Sequence, residues 1–264
     1  MANLQENIER AISDFDTIKA AIKENGVDVP DGTATQSYGK LVNDVKDKAF
    51  DAGKAAGAQE EYDRFWDMML PEGRQMFRYA FAHWTWEFAN PKNTVLFASG
   101  SDAVGLFYRN ANLKTINTEK FDFPYPCSAI EMFYGCIELE HVPKTNLRPT
   151  NVNTMYSNCV KLRTVELFDV TMIPVNRSYS HTFTNCHELI DIAEIRGQIA
   201  QDGLNLQWST KLNKETFIRV VDALSPDTNG LTVTFSQVAK ESAFTDEEWA
   251  QLIGTKPNWT IALA

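Results

Sequence analysis

The sequence predicts an α+β chain: an N-terminal helical, coiled-coil segment, then stacked short repeats sharing one parallel sheet, then strand–helix repeats at the C-terminus. Three observations lead there. Apolar residues step by 3 and 4 through the first helix pattern, one four-residue template returns four times between residues 107 and 192, and strand patterns alternate with helix patterns near the C-terminus.

The 264 residues hold 25 Lys and Arg against 35 Asp and Glu, a net charge of −10, with 44% apolar and 23% charged residues. That is the balance of a soluble folded protein long enough to bury a sizeable core. The acidic excess argues against nucleic acid and against an anionic membrane surface, because both are held by Lys and Arg. No apolar run reaches about 18 residues, so no membrane-spanning segment is expected. The opening MANLQENIERAISDFD lacks the basic start and apolar stretch of a secretory signal.

Residues 1–70 read as a helical oligomerisation and docking segment. Leu4, Ile8, Ala11, Phe15, Ile18 and Ile22 recur on a heptad step, and Asn25-Gly26 with Pro30 marks the stop. A second seam runs through Leu41, Val45, Lys48, Ala52, Ala55, Gln59, Tyr62 and Trp66. Its middle is small and polar, and Gly53 and Gly57 weaken it by roughly 1 kcal/mol each. A helical hairpin and a self-association stalk both fit; a thin Ala-lined helix is better buried between chains. The expectation is a homotrimer held through Leu4, Ile8, Phe15, Ile18, Ile22, Leu41 and Val45.

Residues 71–102 read as an aromatic-rich linker and cap. Phe77, Tyr79, Phe81, Trp84, Trp86, Phe88 and Phe97 crowd this stretch. A carbohydrate platform or a base-stacking surface is the other reading, the latter disfavoured by the acidic charge and the lack of Lys and Arg interleaved with the aromatics.

Residues 103–264 hold the repeats. The units are Phe107-Asn110-Leu113-Ile116, Phe133-Cys136-Leu139-Val142, Tyr156-Cys159-Leu162-Val165 and Phe183-Cys186-Leu189-Ile192, with aromatic steps of 26, 23 and 27 residues. A period of 20–29 with this pattern marks a leucine-rich-repeat solenoid, in which stacked units bury what none can bury alone. Parallel strands are expected at 114–117, 140–143, 163–167 and 190–195. Cys136, Cys159 and Cys186 then share one inward position, where a small buried thiol packs. Further strands are expected at 204–208, 231–235 and 259–263, extending the same sheet. Helices are expected around Phe217, Val220, Val221 and Leu224, and after the capping box that opens at Thr245.

These units resemble the BspA-like (Treponema-type) leucine-rich repeats over about residues 100–195. LNKETFIRVVDAL, LTVTF and FTDEEWAQLIGTKPNWTIALA are similar to the C-terminal repeats of such proteins in phages and prophages of gut Gram-positive bacteria. IKAAIKENGVDVPDGTATQSYGKLVNDV, EYDRFWDMMLPEG and RYAFAHWTWEFANPK resemble segments of phage tail and baseplate-associated proteins. The resemblance implies a non-enzymatic virion structural protein of a tail fibre, baseplate or surface appendage. Its partners would be itself, other virion proteins and a host-surface glycan or protein. A bacterial cell-surface adhesin is the alternative, with a glycan or cell-wall hydrolase behind it. The stretches 121–126 and 172–180 depart from the family pattern as inserts expected to bulge from one face.

Chemistry is sparse. No zinc spacing, P-loop, G-x-S-x-G or G-x-G-x-x-G occurs, and no cofactor, metal or catalytic residue is expected. Cys186-His187 resembles a nucleophile and base, but adjacent residues on an extended turn point apart. Glu138/Glu140 and Asp246/Glu247/Glu248 read as solvent-facing and as a helix start. The residues expected to bind are loop residues: Tyr125, Arg148, Asn176, Arg177 and Tyr179.

Overall fold

The three-residue spacing inside each unit has a backbone cause. In the computed structural model, which describes residues 81–83, 87–89, 95–96, 103–177 and 179–264, each of the first two steps of the template closes a hydrogen bond from residue i+3 back to residue i. Cys136 N donates to the Phe133 carbonyl and Leu139 N to the Cys136 carbonyl, both at 3.1 Å. Cys159 and Leu162 repeat this at 3.1 and 3.0 Å, and Cys186 and Leu189 both at 3.2 Å. Consecutive tight turns put residues three apart on one side. Aromatic, thiol and Leu therefore all face inward, none of them more than 2% exposed.

Each unit then stacks on the next. Phe81, Phe107, Phe133, Tyr156 and Phe183 form one column, with successive ring centroids 5.4, 5.3, 5.6 and 5.3 Å apart and planes within 21° of parallel. Offset stacking at this separation adds to the burial of each ring. Among the described residues the column begins at Phe81, one unit before residue 103.

Short parallel strands tie the coils along one side. β1 (Phe88–Ala89) pairs with β3 (Thr115–Ile116). β6 (His141–Val142), β8 (Thr164–Val165) and β10 (Asp191–Ile192) form a three-stranded sheet with β8 central. A second ladder runs beside it: β2 (Val95–Leu96) with β4 (Phe121–Asp122), β5 (Cys127–Ser128) with β7 (Pro149–Asn151), and β9 (Phe168–Asp169) with β11 (Ile195–Arg196).

The expectation of one sheet is corrected: the described strands make six small parallel sheets. A coil spends only two or three residues in a strand before turning, and one coil abandons the strand altogether. Asn213 N donates to the Ile190 carbonyl at 2.8 Å, continuing the series Arg163 N to Glu140 and Ile190 N to Arg163, both at 2.9 Å. The chain then enters α1 (Lys214–Ala223), capped by the Asn213 side chain. Ile192 N, which faces the missing strand, finds the Thr216 hydroxyl at 3.1 Å instead. β12 (Leu204–Leu206), β13 (Leu231–Phe235) and β14 (Trp259–Leu263) form a separate sheet in that order.

The helical end closes over aromatics. α3 (Asp246–Gly254) carries the expected capping box from Thr245 and Glu248. α2 (Gln237–Ala243), capped by Ser236, has no forerunner in the sequence pattern. Phe217, Phe235, Phe244 and Trp249 meet there, Phe217 and Phe235 at 4.7 Å.

The inserts do not simply bulge, a second correction. Phe121 and Phe123 in the first, and Ile173 and Tyr179 in the second, join the core. Each insert carries large apolar groups that gain more from burial than from water. Residues 1–70, with the seams through Leu4 and Leu41, lie outside the described residues.

Two outcomes test this packing. Phe133→Ala removes the middle ring of the column and is expected to lower unfolding free energy by about 3–5 kcal/mol in urea denaturation. A change below about 1 kcal/mol would contradict a continuous column. The second concerns Asp191, at the junction of strand and helix units. Burial opposes its charge, but hydrogen bonds from Thr216, Arg219 and Asn213 outweigh this and hold its carboxyl below the ordinary range. Thr216 Oγ1 lies 2.8 Å and Arg219 Nη1 2.7 Å from Asp191 Oδ1. A folded pKa below the unfolded value of about 3.9 stabilises the fold above that value and ceases to as pH falls through the lower one. Asp191→Ala should therefore cost about 2 kcal/mol at pH 7. The ionisation-linked part of that difference should fade below about pH 4; a pH-independent difference would remove the assigned role.

Candidate functional site

Most residues on either side of each inward thiol face outward, Ser157 being the buried exception, and stacking lines them up in rows. Two residues before Asn110 or Cys stand Tyr108, Tyr134, Ser157 and Thr184. One residue before stand Arg109, Gly135, Asn158 and Asn185. One and two residues after Cys stand Ile137, Val160 and His187, and Glu138, Lys161 and Glu188. A fifth coil continues the rows. Leu206, Ser209 and Leu212 repeat the template with Leu for the aromatic and Ser for Cys, at most 3% exposed, and bring Trp208 and Lys211 into line. Hydrogen bonds of 3.0 Å from Ser209 N to Leu206 and 3.5 Å from Leu212 N to Ser209 confirm the register.

The backbone beneath these rows is unusual. Arg109, Gly135, Asn158 and Asn185 adopt φ of 52°, 69°, 63° and 58°. The left-handed region suits Gly and Asn best. Each of the first three sends its N–H to the next coil: Arg109 to the Tyr134 carbonyl at 2.7 Å, and Gly135 to Ser157 and Asn158 to Thr184, both at 2.8 Å. At Gly135 a Cβ would sit 3.1 Å from Arg109 Cγ, so the missing side chain lets Arg109 lie across the coil.

The side chains pair along the stack. Tyr108 and Tyr134 lie 5.1 Å apart with planes at 10°, and the Arg109 guanidinium sits 5.3 and 5.9 Å from their centroids. Asn185 Nδ2 donates to Asn158 Oδ1 at 2.7 Å. The His187 ring meets Trp208 edge to face at 5.9 Å. Glu138 pairs with Lys161 and Glu188 with Lys211, each at 2.6 Å. The hydrogen bond from Lys211 holds the Glu188 carboxyl below its ordinary range. Being exposed, these pairs give a charge-balanced rail and little stability.

The thiols below are locked in. Cys136, Cys159 and Cys186 donate to the carbonyls of Phe107, Phe133 and Tyr156 at 3.0, 3.0 and 3.1 Å. Burial pushes all three well above the ordinary thiol range. Cys186 faces the core and His187 the Trp208 ring, so the two do not form a nucleophile–base pair. The carboxylates have structural partners too. Glu138 is in the rail, Asp246 pairs with Lys240, and Glu248 serves the capping box and Lys214. Among the described residues no three His, Cys, Asp or Glu converge on a common point.

Along the strand side, charges link three coils: His141 to Glu166 at 3.1 Å, Lys144 to Glu194 at 2.5 Å, and Arg196 to Glu194 at 2.9 Å and Asp169 at 3.5 Å. The nearby cleft among Met132, Leu147, Met155, Phe168 and Asp169 has room for only about one water.

The loop residues expected to bind separate into groups. Tyr125 is exposed, and Arg148 reaches its loop, donating to the Pro124 carbonyl at 2.6 Å. Asn176 and Arg177 are exposed on the other insert. Tyr179 is corrected: it is fully buried beside Phe168, because its ring fills the space under that insert. The rows around Tyr134, Asn158 and Trp208 were missed, although Asn or Gly one residue before each Cys was a readable sign of left-handed backbone. No family model, curated protein or solved structure matches the chain. No helix among the described residues is long and apolar enough to cross a membrane.

A thiol reagent such as Ellman's reagent checks the locked column. All four cysteines are free and buried, and none should react in the native protein at pH 8, with four appearing on denaturation. Fast reaction of even one in the folded state would contradict the inward assignment.

Proposed function

We propose that this chain is a leucine-rich-repeat solenoid of BspA-like type acting as a non-enzymatic structural protein of a phage virion. It would sit in a tail fibre, baseplate or other surface appendage and present its repeats to the host surface or to a neighbouring virion protein. The stack carries this reading. Coils in constant register hold outward side chains in rows on a stiff frame, which is what an extended binding surface needs. The setting rests on the resemblance of the repeats and both flanking segments to phage tail and baseplate-associated proteins. The seams of residues 1–70 supply the docking and trimerisation part of the proposal.

Mass spectrometry of purified particles from the source strain should recover this protein as a stoichiometric virion component. Its absence from particles, with recovery from the bacterial envelope, would replace the virion role with that of a surface adhesin. In light scattering the full chain should show three times its chain mass, and a chain starting at residue 71 one times. A monomer in both at micromolar concentration would remove the stalk.

A further inference from the structure

Building on the surface-binding reading above, we propose that the rows from Tyr134 to Trp208 form a recognition site for a neutral oligosaccharide. The argument starts from what the rows offer. Tyr134, stacked on Tyr108, stands at one end and Trp208, braced by His187, at the other. Trp208 keeps 38% of its surface exposed despite that contact. Three coil steps separate the two ends, about 14 Å at roughly 4.8 Å per coil. That is the reach of a short run of sugar rings, whose C–H faces stack on aromatic side chains while their hydroxyls need polar partners.

The polar partners lie between. Asn158 and Asn185 are half-buried and left-handed, joined by one hydrogen bond. A carboxamide offers two N–H donors and two acceptor lone pairs, so the mutual bond and the 3.5 Å donation from Asn158 Nδ2 to Ser157 Oγ use only part of their capacity. Paired donor and acceptor groups held side by side match neighbouring sugar hydroxyls. Aromatic and Asn side chains on a stiff backbone lose little conformational entropy on binding.

Charge narrows the ligand class. The bordering rail of Glu138–Lys161 and Glu188–Lys211 is internally neutralised, and the chain as a whole carries −10. A polyanion would meet cations that are already engaged: Arg109 over two tyrosines, and Lys161 and Lys211 each paired with a carboxylate. A protein partner wants its apolar anchors clustered at a desolvated centre. Here the large rings stand at the ends with amides between them.

The test uses the full chain and an immobilised panel of neutral hexose and N-acetylhexosamine oligomers of three to six units, with sialylated and glucuronate-bearing oligomers beside them. Binding to neutral members is expected. Trp208→Ala and Asn185→Asp should each weaken it at least tenfold, Trp208→Phe should restore most of it, and unchanged melting curves should show that the fold is intact. No binding to any neutral member, or equal binding by wild type and Trp208→Ala, overturns the site. Whole bacterial envelopes separate this failure from that of the broader reading. Capture lost after periodate treatment and weakened by Trp208→Ala supports the glycan. Capture lost only after protease, and indifferent to Trp208→Ala, overturns the glycan and leaves surface binding standing. No capture at all removes both.

Discussion

A carbonyl oxygen trapped between two coils has two lone pairs and no water to meet them, and this chain spends its cysteines on that problem. The Phe133 carbonyl accepts Cys136 N from its own coil at 3.1 Å and Cys159 Sγ from the next at 3.0 Å. Phe107 and Tyr156 are served in the same way. The thiol meets the second lone pair of a carbonyl that already accepts one backbone N–H, so it is at once filler and donor. Because the donor lies one coil away, the bond sets the register between coils. The backbone bonds between coils, such as Phe133 N to Met155 at 2.9 Å and Tyr156 N to Thr182 at 3.0 Å, hold the same register, and a coil shifted by one residue would move each exposed side chain out of line.

The same constraint explains what was legible in the sequence. Aromatic, thiol and Leu recur at fixed spacing because two successive turns demand it, so the four units and the inward sense of Cys136, Cys159 and Cys186 could be read directly. The capping box at Thr245 and the strands at Leu231–Phe235 and Trp259–Leu263 were equally visible, being local patterns that tertiary context reinforces. The fifth coil was hidden because Leu206 and Ser209 replace the aromatic and the Cys. The second ladder was hidden because two-residue strands such as Phe121–Asp122 carry no alternation long enough to read.

The candidate surface was less legible, for a different reason. Its residues are neighbours only through stacking: Asn158 and Asn185 are 27 positions apart, and Tyr134 and Trp208 are 74. Loop composition pointed instead to the inserts, and Tyr179 shows how that reasoning fails. An aromatic in a polar stretch is often there to pin the stretch down, and its ring went to the core. Offsets counted from each Cys would have found the rows, because the period that aligns the core aligns the surface.

The change of module after the third thiol follows from the same chemistry. Ser209 stands where a fourth thiol would, fully buried, and its hydroxyl has no hydrogen-bond partner among the described residues. The donor series therefore stops at Cys186. The next coil keeps the backbone bond from Asn213 N to Ile190 and adds side chains in place of the thiol: Thr216 on Ile192 N and Asp191, and Arg219 on Asp191. A helix can supply these because its first two turns present a cap, a hydroxyl and a long cation, where a two-residue strand presents only backbone. The stack thus passes from thiol-set to side-chain-set register at the coil that carries Trp208, so the far end of the outward rows is held by the Asp191–Thr216–Arg219 cluster rather than by sulfur. Rigidity under the rows has two sources, and the join between them lies beneath the surface they present.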